Sequence, residues 1–552
     1  MKKRIICLVL SVILSLSLIA CSSGTTTTPP SAANTGGSPA ASPPGSSPPA
    51  ASPPGNSPST TYSPPPLAPP SPDKNYVEKL VFVTSERPTI FDTCAVGGYS
   101  APCEWGYIMV YNQLIKYTPD FEFKPALATS WETSDYKHFT FHLREGVFFH
   151  NGEPFTADDV AFTIDRAKQS VGSRAYDRMK MIESYNIIND HEIELVLQDV
   201  NVDFYANISF QYCGILNRKA VEGDPEKGTW IGTGPWTVSE FVADDRIVLT
   251  VNENYWGEKP VTKTFVLRCV AEETARILML ENGECHVVNA PAPANLPAIA
   301  ANPDLDYFGF ALNNTTFLGF NLLQPFMSDI NFRMAVAHAI NRDDCVNITR
   351  DGYAYPVDSG TFWGYKTEFK NTDIPIIPYD LNKAKEYLAK TDYKGEEIEI
   401  VGSNPLLLKN AQIFQENLKE IGINTSIKEV DAPTMASYGA WGNTNTMLLS
   451  SSGEWQQMAS ACRNYLYPGA VMNRANYNNP EVAALLDEAL TTLDAAKREI
   501  IYRRVQELVA QDIPYLGIFN IEFHMAHTKG LGGIVAYPNL AVDFTYTYLE
   551  KK

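Results

Sequence analysis

Between Ser22 and Asn75 the chain carries 16 of its 38 prolines, set among Ser, Ala, Gly and Thr. This tract limits what the chain can fold into more than any other feature. It even repeats itself, Ala41-Ser-Pro-Pro-Gly-Ser-Ser-Pro48 returning as Ala51-Ser-Pro-Pro-Gly-Asn-Ser-Pro58. Its apolar surface is too small to offset its ordering entropy, and its prolines bias it toward extended, semi-stiff backbone. At about 3.1 Å per residue it spans at most roughly 170 Å. The tract reads as a stalk, so any packed core must come after it. That remainder, roughly 480 residues, suggests about three domain-sized units of about 150 residues each, and with 44% hydrophobic residues overall it has the material for large cores. From Asp73 onward 41 Lys and Arg face 63 Asp and Glu, a net charge of −22. A body this acidic repels phosphate backbones and anionic membrane surfaces, which speaks against nucleic acid as a partner.

Ahead of the stalk, Met1-Lys-Lys-Arg4 is followed by the apolar run Ile5 to Ile19, then Ala20 and Cys21. Basic, apolar and small residues in that order make a secretory signal, and the run is shorter than the roughly 20 residues that cross a bilayer as a helix. Leu18-Ile19-Ala20-Cys21 resembles a lipobox, in which the Cys is acylated and becomes residue one after cleavage. Residues 1–20 are then the signal peptide and 21–75 the lipidated Cys21 with its stalk. Two or three acyl chains would hold the protein on the extracytoplasmic face of the cell membrane, where a single chain gives only marginal binding.

Beyond Cys7 and Cys21 lie Cys94, Cys103, Cys213, Cys269, Cys285, Cys345 and Cys462. Cys94 with Cys103, or Cys269 with Cys285, is spaced for a disulfide, and the odd count leaves at least one free thiol per monomer. No C-x-x-C spacing occurs, which argues against a zinc cluster.

Glu78 to Thr84 reads as a buried strand and His138 to Leu143 as a half-buried one. Thr156-Ala-Asp-Asp159 has the form of a capping box ahead of a helix, and Glu272 to Asn282 is a periodic run closed by Gly283. Ser328 to Ile340 is a further helix, and Asn479-Pro480 opens one whose Val482, Leu485, Leu486, Ala489, Leu490 and Leu493 form a stripe. The overall pattern is α/β. His138 with His142, and His524 with His527, read as residues of solvated strand faces rather than metal ligands, so no metal site is expected. There is no G-x-S-x-G, H-E-x-x-H or Walker loop, so no catalytic residue or cofactor site is assigned.

Several stretches, taken in order, resemble one family. They are Pro125-Ala-Leu-Ala-Thr-Ser-Trp131, Phe139 to Gly152, Pro154-Phe-Thr-Ala-Asp-Asp-Val160, Gly232-Thr-Gly-Pro-Trp236, Asn252-Glu-Asn-Tyr-Trp256, Asp329 to Ala335 with Ala339-Ile-Asn-Arg342, Tyr379 to Ala384, and Leu418 to Ile423. Together they are similar to the family 5 solute-binding proteins of ABC importers, the oligopeptide, dipeptide and nickel receptor family, over essentially all of residues 76–552. The resemblance implies a two-lobed periplasmic-binding-protein-like clamp of type II, in its large form with an extra subdomain in lobe I. Lobe I would be 76–117, 233–312 and 521–552, its inserted subdomain 118–232, and lobe II 313–520. Ligand would be enclosed as the lobes close about two crossings, and a permease complex would read that closure. A monomeric receptor is implied. Most of the matched motifs read as architecture: Gly232, Gly234 and Pro235 form a turn, and Asp329 with Arg333 reads as a surface pair at helical spacing.

In peptide-binding members of the family, a lobe II loop carries an Asp that pairs the peptide's α-amino group. The matching stretch here, Ser450 to Arg463, has no Asp, and Glu454 is its one acid. An ammonium in a desolvated cleft pairs with either carboxylate. Indole faces suit sugar rings, planar groups and apolar side chains alike. The expected ligand-binding residues are therefore Tyr99 and Trp105 in lobe I, and Trp363, Glu454, Trp455 and Arg463 in lobe II. The resulting expectation is a lipid-anchored receptor delivering short peptides to an ABC permease. An oligosaccharide or nickel chelate is the alternative ligand, and an exported hydrolase the alternative class.

Overall fold

Two long strands, Leu305–Phe320 and Tyr515–Thr528, run antiparallel and form the axis of an eleven-stranded sheet. The structure is a computed structural model and describes residues 70–71, 74–96, 100–119, 122–431, 434–435, 444–451, 458–539 and 541–551. The signal peptide, Cys21 and the stalk up to Pro69 lie outside the described residues, as do Tyr99, Glu454 and Trp455. On one side of the axis come Thr446–Ser451, Ile398–Gly402 and Thr425–Glu429. On the other come Val287–Asn289, Lys79–Thr84, Thr264–Cys269, Arg246–Val251 and Trp236–Val242. Ala354–Pro356 pairs with Tyr515–Thr528 off this path. Each flank carries parallel pairings, Lys79–Thr84 with Thr264–Cys269 and Ile398–Gly402 with Thr446–Ser451. Strands of this kind are covered on both faces and read as continuous apolar runs, as Leu80-Val-Phe-Val83 does.

The pairing of the long strands is interrupted where the flanks meet. Ala311 faces Glu522, yet the next pair is Thr315 with Asn520, and a second irregularity separates Thr316 from Phe317. Extra residues in one strand bend it and raise its twist. The cores divide at the same place. Phe82, Leu249, Phe265 and Phe310 share one core with the 101–221 region, whereas Leu318, Phe320, Ile400 and Phe414 belong to another. Phe317, Trp363, Tyr465 and Tyr502 form a third beside the second. Ile521 borders both the first and the second.

A separate four-stranded sheet, in the order Ala128–Glu132, His138–Leu143, Glu192–Leu197 and Ile182–Asn189, packs on the Ala157–Gln169 helix. That helix opens on the expected capping box: the Asp159 carboxylate accepts from Thr156 N at 3.0 Å and from Thr156 Oγ1 at 3.3 Å. The sheet is tied to the first core by the Gly232-Thr-Gly-Pro-Trp236 turn. A Cβ at residue 232 would stand 2.1 Å from the Val110 carbonyl oxygen, and one at 234 would stand 2.5 Å from that of Met109. Only glycine lets the turn lie against the end of the Ala101–Val110 helix. His150 fastens it: Gly232 N–H donates to Nδ1 at 3.2 Å, so the ring proton sits on Nε2 and is donated to the Gly234 carbonyl at 3.0 Å. Burial pushes this imidazole down to about 4.

Several local expectations are met and several are corrected. The strands Lys79–Thr84 and His138–Leu143 and the helices Glu273–Glu281 and Ile330–Ala339 form where expected. The Pro480–Thr491 helix also forms, with Asn479 capping it, but its stripe stops short: Leu493 lies past the helix end and is exposed. Asp329 and Arg333 are not a surface pair. Arg333 is buried and donates to the carbonyls of Met327 at 2.5 Å and Asp512 at 2.7 Å, while Asp329 caps its helix through Asn331 N. His524 and His527 are buried in the long strand rather than solvated, with His524 Nε2 3.4 Å from Glu522. Neither expected cysteine pair is bridged, and all seven described cysteines are free thiols.

Candidate functional site

The junction of the two flanks is where distant parts of the sequence meet. Asn313 sits at the strand irregularity, and its N–H donates to the Pro538 carbonyl at 2.7 Å while its side-chain oxygen accepts from Lys366 N at 2.7 Å. The Trp363–Gly364 turn packs directly on it, since a Cβ at residue 364 would stand 2.6 Å from the Asn313 Cα. Trp363 itself is buried, its ring 4.2 Å from Phe362 and 6.5 Å from Tyr465. Among the described residues its Nε1 has no hydrogen-bond partner, and the same holds for Asn314 Oδ1, Thr316 Oγ1 and Asn520 Nδ2. Buried polar atoms are normally paired, because leaving one unpaired costs about 1–3 kcal/mol. Of the fourteen such atoms among the described residues, four lie together on the crossing strands and the loop against them.

A second polar cluster joins the 118–232 region to the 313–520 region. Ser460 Oγ, near the start of the Met458–Leu466 helix, donates to Asp203 Oδ2 at 2.8 Å. Arg498 donates to the carbonyls of Thr492 and Leu493 at 2.9 and 2.8 Å, and its guanidinium lies 5.8 Å from the Tyr136 ring centre. Burial raises the Asp203 carboxylate, which the Ser460 hydroxyl and Arg498 partly offset. Glu368 is half-buried and is pushed up to about 7, first by burial and then by the Asp203 charge, with Arg498 opposing. Beside this cluster runs a groove of about 590 Å³, lined by Asp177, Arg178, Asp203 and Asn207 on one side and Ser460 and Arg463 on the other.

Of the residues expected at the site, Trp105 lies in the first core, edge-on to Phe82 at 4.9 Å and to Phe544 at 6.1 Å, and is only 2% exposed. That placement makes it a packing residue and separates it from the junction. Trp363 is at the junction. Arg463 lines the groove, with its guanidinium 2.9 Å from Asp487 and 4.2 Å from the Tyr467 ring centre. The segment holding Glu454 and Trp455 runs between Ser451, the end of a central strand, and Met458, the first residue of a helix. The sequence reading missed Asp203, Glu368, Ser460, Arg498, Asn314, Thr316 and Asn520. No local pattern marks them, since Asp203 and Ser460 are 257 positions apart. Among the described residues no group of three or more His, Cys, Asp or Glu is placed to hold a metal ion, and no helix is long and apolar enough to cross a membrane.

An α/β sheet that continues through two antiparallel crossings between separate cores is the architecture of a two-lobed binding protein. The model of the bacterial extracellular solute-binding proteins, family 5 Middle, matches residues 122–473, and the chain belongs to that family. It is similar to the dipeptide-binding protein of Escherichia coli (strain K12), 25% identical over 471 residues that cover 78% of this chain and 87% of that one. It is equally similar to heme-binding protein A of Haemophilus influenzae, 25% identical over 481 residues, 80% of this chain and 86% of that one. Among solved structures, the periplasmic binding protein DppA from Helicobacter pylori in complex with peptide STSA shares the fold, with a TM-score of 0.69 and 24% identity over 86% of this chain and 99% of that one.

Proposed function

We propose that this chain is the membrane-anchored receptor of an ABC importer, that it captures short peptides by closing two lobes about the long strands, and that it presents them to a permease complex. Lobe I is assigned to 76–117, 233–312 and 521–552, its inserted subdomain to 118–232, and lobe II to 313–520. The observation that carries this reading is the junction itself: the long-strand register breaks between Ala311 and Thr315, the cores divide there, and four buried polar atoms have no partner among the described residues. Two of those atoms, Trp363 Nε1 and Asn520 Nδ2, are donors; Asn314 Oδ1 accepts and Thr316 Oγ1 does either. A peptide unit supplies one donor and one acceptor, so an amide backbone complements such a set, and a fixed metal or a lone charge does not. Relatives named for dipeptides and a fold neighbour holding a tetrapeptide support the peptide reading. Glu454 is assigned to the ligand's α-amino group, and Trp455 of lobe II and Tyr99 of lobe I are assigned as further ligand-binding residues. Cys21 is assigned as the lipid attachment that keeps a monomeric receptor at the extracytoplasmic face. Its work is reversible capture and transfer, with no chemistry performed on the ligand.

A thermal-shift panel tests this. Protein unfolded and refolded to strip carried ligand is challenged with di- to hexapeptides, oligosaccharides, nickel chelates and heme. A ligand at a hundred times its Kd adds about 2.7 kcal/mol. Peptides should give that shift, and Glu454→Gln should abolish most of it. A response confined to saccharides, nickel chelates or heme would overturn the peptide assignment.

A further inference from the structure

The groove between the 118–232 region and the 313–520 region carries charge of the opposite sign to the body around it. In a chain whose residues from Asp73 onward hold a net charge of −22, Arg174, Arg178, Lys180 and Arg463 line one cleft of about 590 Å³ against Asp177 and Asp203. Asp487, 2.9 Å from Arg463, adds a third acid and still leaves the cations in excess. Each wall contributes one arginine that lies on an aromatic ring. Arg178 sits 3.8 Å from the Phe210 ring centre and donates to Asn207 Oδ1 at 3.2 Å, and Arg463 sits 4.2 Å from the ring centre of Tyr467. Stacking fixes the plane of a guanidinium, so it loses less freedom on taking a carboxylate than a lysine does. We propose that this groove binds carboxylate side chains of the captured peptide, so that the receptor selects acidic peptides long enough to reach it. The inference rests on the peptide reading above and adds the class of peptide.

The helix Met458–Leu466 joins the groove to the junction. The ring of its Tyr465 stands 6.5 Å from that of Trp363, whereas its Ser460 and Arg463 line the groove. Its 9 residues rise about 13 Å along the axis, and an extended peptide advances about 3.3 Å per residue. A peptide whose first residues lie at the junction therefore reaches the groove with its fourth or fifth, and a dipeptide falls short. The two acids of the groove are already engaged, Asp177 by Lys180 at 2.9 Å and Asp203 by Ser460 at 2.8 Å. An acidic side chain arriving there meets guanidinium groups of both the subdomain and lobe II, and hydrogen bonds between ionised partners are roughly twice as strong as neutral ones. A lysine side chain arriving at the same place meets four like charges.

Calorimetric titration of the full chain, stripped of carried ligand, tests this with Ala-Ala-Ala-Ala-Ala, Ala-Ala-Ala-Glu-Glu and Ala-Ala-Ala-Lys-Lys, with the dipeptides Ala-Glu and Ala-Lys, and with succinate and inorganic phosphate. At low salt the Glu-Glu pentapeptide should bind about tenfold more tightly than the Lys-Lys one, and high salt should shrink the gap. The gap should fall to about threefold or less in Arg178→Gln and in Arg463→Gln, and stay in Lys263→Gln, which removes an exposed cation of lobe I. Arg463→Gln breaks only a partly exposed pair, so it gives the reading even where Arg178→Gln destabilises the subdomain. Ala-Glu and Ala-Lys should bind within about twofold of each other. Binding of the alanine pentapeptide with no preference between Glu-Glu and Lys-Lys, or a preference that survives both arginine substitutions, would overturn the groove and leave the peptide receptor standing. Succinate or phosphate that binds without displacing the Glu-Glu peptide would give the groove to a free anion and overturn it too. Failure of every peptide to bind would remove the peptide reading and the groove with it.

Discussion

The turn at Gly232–Trp236 and the junction at residues 311–316 are built on opposite principles. At the turn every polar group named above is paired, with both nitrogens of His150 engaged, and the space where side chains would be is filled by backbone carbonyls. At the junction four buried polar atoms have no hydrogen-bond partner among the described residues. The turn is one of the stretches that place the chain in its family, whereas the junction has no sequence signature. The difference teaches that the recognisable motifs are those that fix architecture, and that no local pattern announces where buried polar groups are left without partners.

The comparison breaks most visibly at the glycines. Gly234→Ala pushes a methyl group onto a helix-end carbonyl and should cost about 3 kcal/mol or more, read as a drop in the urea midpoint. Gly223→Ala has open space around it and should change stability by about 0.5 kcal/mol or less.

Next in size is the acid response of the turn. His150 is held at about 4 in the folded chain against an ordinary value near 6.5, so the unfolded chain binds the extra proton between those values. Stability present at pH 7 should fall as pH drops from about 6.5 to 4, by at most about 3 kcal/mol. Urea unfolding of wild type and His150→Gln at pH 7 and pH 4.5 checks it. An equal pH loss in the variant would assign the effect elsewhere.

Trp363→Phe sharpens the other side of the comparison. It keeps the ring and deletes the unpaired N–H, so the ligand-free protein should be unchanged or up to about 1 kcal/mol more stable, while peptide affinity falls about tenfold. A loss of stability with unchanged affinity would make Trp363 a packing residue like Trp105. The smallest effect is expected at Arg463→Ala, which removes an exposed pair with Asp487 and should cost about 0.5 kcal/mol by thermal unfolding.

What could be read from sequence follows the same division. The strands at 79–84 and 138–143, the Thr156 capping box and the Asn479 cap were legible because period, cap and terminator are local signals. Leu305–Phe320 was not foreseen as a strand. Its inner half is polar at Asn313, Asn314, Thr315 and Thr316, and those residues are buried or half-buried only because the two flanks meet over them. Arg333 misled for the same reason: helical spacing to Asp329 says nothing about a carbonyl at Asp512, 179 positions away. His524 and His527 carry polar side chains into a strand that is covered by its neighbours, which alternation alone does not reveal. Family resemblance supplied the clamp, and only the folded chain brings Asp203 to Ser460.

The central claim is that ligand closes two lobes about the long strands. The most direct test is small-angle X-ray scattering of the purified protein with and without the peptide that gives the largest thermal shift. The account predicts a smaller radius of gyration on binding, and a larger one again when that peptide is washed out. Tight peptide binding with an unchanged radius would contradict it.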